Sequence, residues 1–169
     1  IETTNTSEKI LSHIEKIHSE EPFIIILSSF DWIIQSLENI SELLIQNQQT
    51  EVLHAIDTLK EECINMLAAP DTDEANTYVA KADITAQIDH FVHLAKSHSE
   101  ASDQQETDIR TIGGYLSSIL CTEYLKHKGI NASLLDASEF IRLNEEQVPD
   151  IDSSNIQTES GKIYVMPSN

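Results

Sequence analysis

Residues 111–118 read TIGGYLSS and hold two of the four glycines in a 169-residue chain, directly ahead of a serine pair. Adjacent glycines can let a phosphate approach backbone N–H groups at the start of a helix. That use needs the spacing G-x-G-x-x-G, or a Walker loop ending in Lys-Ser/Thr, and Gly113-Gly114 has neither. A second serine pair, Ser28-Ser29, follows the apolar run FIIIL. His90 and His93 lie three apart on a predicted helix, a spacing that presents two imidazoles to one metal. No nearby carboxylate or cysteine motif completes such a site, so a solvated helix face accounts for them better. His13 and His18, five apart, share a helix face less well. Glu61-Glu62, or Asp71, Asp73 and Glu74, could act as paired carboxylates in acid/base chemistry. Charged helix faces, and a helix start at Asp71 to Glu74, explain them more simply.

The charge balance removes whole classes of function. Ten Lys plus Arg against twenty-nine Asp plus Glu give a net charge of −19. Such a field repels a nucleic-acid backbone and anionic lipid, so neither is expected as a partner. A nucleotide or other anionic substrate would need a site built against it. No apolar run nears eighteen residues, which excludes a transmembrane helix, and the opening IETTNTSEK has no signal-peptide pattern. A chain opening on Ile1 implies a longer natural start. Cys63 and Cys121 each sit inside an apolar helical pattern, as reduced, buried thiols of a cytoplasmic protein do.

Elements that would position these residues follow from periodicity. Ile10, Leu11, Ile14 and Ile17 predict a helix from Ser7 to His18, capped by Thr6 or Ser7. Phe23 to Leu27 predict a parallel central strand buried on both faces. Trp32, Ile33, Leu37, Ile40, Leu43 and Leu44 form one helical stripe, and Val52 through Leu67 another, ending before Pro70. A long helical pattern runs through Tyr78, Ile84, Ile88 and Leu94 and fades into SHSEASDQQE, predicted as an exposed loop. Ile109 to Lys128 is the next helix, with Gly129 as its stop. Ile130 to Leu135, Glu139 to Leu143 and KIYVM at 162–166 are strand candidates. The fold class is therefore α/β, with helices on both faces of a mostly parallel sheet and a long helical excursion over residues 31–128.

Two segments then resemble a known family. GGYLSSILCTEYLKHKGINASLLDASEFIRLN followed by VPDID looks like the G-E-x-x-S helix of aspartate kinases, the strand and D-A step after it, and an I-R-T-type segment with a downstream P-D. PFIIILSSFDWIIQSLENISELL is similar to their apolar strand leading into S-A-x-x-G-x-T and a helix. The resemblance implies a three-layer α/β/α amino-acid-kinase domain spanning 1–169, in which ATP and Mg²⁺ serve phosphorylation of the aspartate side chain. Such transfer rests on positioning and charge stabilisation. On the matching positions, the implied substrate-binding residues are Ser28, Ser29, Ile34, Gly113, Gly114 and Ser117.

Departures from the family pattern fall on those same positions. The family's glycine and threonine of the first motif are replaced by Trp32 and Ile34, and Gly114 stands where its glutamate would. The phosphate-binding K-F-G-G loop would lie before Ile1, and the later nucleotide-binding segments beyond Asn169, so this chain is expected to hold no ATP or Mg²⁺ of its own. Each lost polar partner of a charged ligand costs about 1–3 kcal/mol or more. The sequence thus predicts an aspartate-kinase-like domain with little or no phosphotransfer activity. The alternative is a non-catalytic interaction or regulatory module, for which an exposed Trp32 would speak. By resemblance the partners are a second copy in a homodimer, or a fused regulatory or homoserine dehydrogenase domain.

Overall fold

Strand β1 (Phe23–Leu27) is followed by four helices before the chain returns to the sheet: α1 (Asp31–Ile45), α2 (Gln49–Leu67), α3 (Glu74–Ser97) and α4 (Asp103–His127). Then come β2 (Ala132–Leu134), β3 (Ile141–Leu143), β4 (Pro149–Ile151) and β5 (Ile163–Pro167). This is a computed structural model, and it describes residues 9, 11–14, 22–67, 74–97, 103–135, 141–143, 149–151 and 161–168. The predicted N-terminal helix is described only around Leu11 and Ile14, both buried in the core. Its proposed cap at Thr6 or Ser7, and Asp71 and Asp73, lie outside the described residues.

The sheet is parallel, with strand order β1-β5-β2. Phe23 pairs with Ile163 and Leu27 with Pro167, while Ala132 to Leu134 pair with Ile163 to Val165 on the other side of β5. Strands β3 and β4 form a separate antiparallel pair, Ile141 opposite Ile151. A parallel return requires a crossover, and the excursion from α1 to α4 supplies it. The fold is therefore α/β, a three-stranded parallel sheet flanked by helices, with the helical excursion in the predicted place.

The strand period of two divides the sheet into unlike faces. Ile25 and Leu27, Ile163 and Val165, Ala132 and Leu134 join the common apolar core with the helices. On the opposite face Tyr164 and Met166 are buried, but Ile24 and Ile26 are 39% and 59% exposed. Here the structure corrects the reading of β1 as a central strand buried on both faces. The centre is β5, whose five residues are all buried, although KIYVM is the less apolar stretch. An unbroken apolar run specifies a strand; its place in the sheet is set by partners distant in sequence.

Helix α4 is the central element. It buries fourteen of its twenty-five residues, including Ile109, Ile112, Leu116, Leu120 and Leu125, so it is enclosed on more than one face. It begins at Asp103, and the DQQE of the predicted loop is its first turn. That turn is polar because most of it faces solvent, and its acids Asp103 and Glu106 favour a helix N-terminus. Gln105, the buried member, donates its side-chain amide to the Ser41 hydroxyl and ties α4 to α1. Gly129 ends the helix as predicted: at φ +74° it lets Ile130 N–H reach the Leu125 carbonyl at 3.0 Å and its own N–H reach that of Lys126 at 2.9 Å. Asn47, at φ 56°, closes α1 in the same way.

Candidate functional site

Ligands of parallel α/β sheets bind beyond the carboxyl ends of the strands, and the sequence-predicted site residues gather there. Strand β1 runs into Ser28 and Ser29, and the Ser168 N–H donates to the Leu27 carbonyl at 2.9 Å, which sets the end of β5 beside that of β1. Helix α1 starts immediately after. Its cap residue, Phe30, is extended and offers no side-chain cap. Instead the Phe30 N–H donates to Oγ of Ser117, 2.8 Å away on α4, and the Phe30 carbonyl accepts from the N–H groups of Ile33 and Ile34.

The two glycines let α4 lie close against this turn. A methyl group on Gly113 would stand 2.8 Å from Cδ1 of Ile34, 3.1 Å from Oγ of Ser29 and 3.3 Å from its Cβ. One on Gly114 would meet Pro167 Cβ at 3.5 Å and the Ser168 carbonyl at 3.6 Å. Gly113 is thus a close-approach glycine, whereas Gly114 leaves room for a side chain at the end of β5. Both lie in the interior of a 25-residue helix, not at its start. Ser29, Ile34, Gly113, Gly114 and Ser117 are brought together, with Ser28 exposed beside them.

The Ser29 and Ser117 hydroxyls are already engaged. Ser117 is fully buried, accepts from Phe30 and donates to the Gly113 carbonyl at 2.7 Å. Ser29 donates to the Arg110 carbonyl at 3.2 Å. The positive end of the α1 dipole carries a resident acid, Asp31, in its first turn. Next to Ile34 lies a cleft of about 430 Å³ lined also by Glu38, Asp103, Gln105, Glu106, Ile109 and Arg110. Arg110 is the one cation in that lining, and its guanidinium is held by Glu106 at 2.7 Å. The surroundings therefore repel a small anion.

Sequence reading did not reach Pro167 and Ser168, which stand closest to Gly114, nor the Arg110 carbonyl that holds Ser29. Their only signal is position, at the end of the strand that proves central. Trp32 is buried, and its indole Nε1 finds no hydrogen-bond partner among the described residues. His90 and His93 are exposed, and the described residues contain no cluster of three or more His, Cys, Asp or Glu able to hold a metal ion. Cys63 and Cys121 are free and buried, and burial pushes each thiol up to about 12, with the neighbouring Glu62 adding to the effect at Cys63. No described helix is long and apolar enough to cross a membrane.

A three-stranded parallel sheet among the described residues, with a long helical excursion before the return, is an α/β arrangement. Among solved structures the chain is similar to E. coli aspartokinase III, crystallised with aspartate and ADP in its R-state, at 18% identity and a TM-score of 0.54. The match covers 95% of this chain and 36% of that one, so the chain spans about a third of that enzyme's length. At this identity the likeness is one of fold. No protein-family model and no curated protein matches the sequence.

Proposed function

We propose that this chain is an aspartokinase-like domain whose substrate pocket no longer binds aspartate in the family's manner, so that it has little or no phosphotransfer activity. One observation carries this reading. At the carboxyl ends of β1 and β5, where an anionic substrate would sit, Ile34 is packed onto Gly113, Gly114 presents no side chain, and the Ser29 and Ser117 hydroxyls are spent on backbone groups. A carboxylate placed there would meet Asp31 at the start of α1 and no free cation in the adjoining lining. Nucleotide and Mg²⁺ would have to be held by residues outside this cluster.

The test is calorimetric titration with aspartate, alone and with Mg·ATP, of the parent and of a Gly114→Glu, Ile34→Thr variant. A side chain at 114 begins in ordinary van der Waals contact, and threonine at 34 removes the atom nearest Gly113. The expected result is silence from the parent and measurable binding by the variant. Tight binding by the parent, or aspartate-dependent ATP consumption at an enzyme-like rate, would overturn the proposal.

A second reading, an interaction module, is favoured by the exposed Ile24 and Ile26, on the face of β1 that does not join the apolar core. Trp32 gives it no support, because it is buried. A strictly monomeric chain in sedimentation at high concentration would count against a homodimer built on that face.

A further inference from the structure

We draw no further inference here: the strongest candidate, the face of β1 on which Ile24 and Ile26 are exposed at the edge of the three-stranded sheet, carries none because nothing in the structure shows what covers it.

Discussion

Replacing Gly113 and Gly114 one at a time with alanine should move stability in opposite directions, although the two are neighbours in one buried helix. In a helix interior alanine is favoured over glycine by about 1 kcal/mol, and this gain is common to both. The surroundings decide the rest. At Gly114 the new methyl meets its nearest neighbours at 3.5, 3.6 and 3.7 Å, ordinary contacts, so Gly114→Ala should stabilise by about 0.5–1 kcal/mol. At Gly113 it would lie 2.8 Å from Ile34 Cδ1 and 3.1–3.3 Å from Ser29, and overpacking of this kind costs about 1–3 kcal/mol. Gly113→Ala should therefore range from neutral to about 2 kcal/mol destabilising, and the two variants should differ by about 1–3 kcal/mol. Ile34 ends in the flexible atom responsible for the worst contact. Ile34→Val removes that atom at an intrinsic cost of about 0.5–1.5 kcal/mol, yet should cost less in the Gly113→Ala background than in the parent. Urea unfolding of the four proteins, with m-values compared to exclude a changed unfolded state, measures all of this. If Gly113→Ala stabilises as much as Gly114→Ala, or if the cycle shows no coupling to Ile34, the close approach of α1 to α4 assigned here is wrong.

Three further outcomes follow from the same geometry. Ser117→Ala strips the buried Phe30 N–H of its acceptor and should destabilise by about 1–3 kcal/mol, with amide exchange at Phe30 accelerating beyond that of its helix neighbours. Gly129→Ala meets no atom within 4 Å but must adopt φ +74°, so it should lose about 1–2 kcal/mol purely from backbone strain, whereas Gly129→Asn should lose less. The thiols of Cys63 and Cys121 should resist a disulfide-exchange reagent at pH 8 in the native state and react fully in denaturant. Because folding raises both from an ordinary value of 9.0 to about 12, both states hold them mostly protonated well below pH 9. Above it the unfolded chain ionises first, so stability should fall as pH rises from 9 toward 12. A Cys63→Ala, Cys121→Ala chain should show a shallower alkaline decline; an identical one would contradict the burial assigned to them.

The helices were the most legible part of the sequence because each carries its own period. The stripes from Trp32 to Leu44 and from Val52 to Leu67 place α1 and α2, and the glycine at 129 marks the end of α4 to within a residue or two. What misleads is local polarity. The first turn of α4, DQQE, has the composition of a loop, yet Gln105 within it is buried and bonded to Ser41, sixty-four residues away. The strands fail for a related reason. FIIIL and KIYVM both announce strands, but which one is central depends on pairing with residues far along the chain, and Ile24 and Ile26 pay for the wrong inference with exposed surface. The β3–β4 pair is a partial miss: Glu139 to Leu143 anticipates β3, while the proline at 149 hides β4, whose partner tolerates a missing N–H in a two-stranded ribbon.

The site shows why residue order is legible where function is not. Ser29, Ile34, Gly113, Gly114 and Ser117 lie on two segments some eighty residues apart, and only their order against a family pattern connects them in sequence. Their assembly at the strand ends follows from the fold, but their bonding does not follow from their types. A serine in a substrate pocket and a serine that caps a neighbouring helix are the same letter, and Ser117 is the second kind: its one proton goes to the Gly113 carbonyl and a lone pair to Phe30. The same holds for glycine. Gly113 is required by a 2.8 Å approach whether or not any ligand binds, so its presence is evidence about helix packing. Gly114 has no such requirement, since a methyl there meets nothing closer than 3.5 Å. Of the two, it is the position at which a side chain could be introduced without disturbing the fold, and therefore the one at which an effect on binding and the demands of packing are separable.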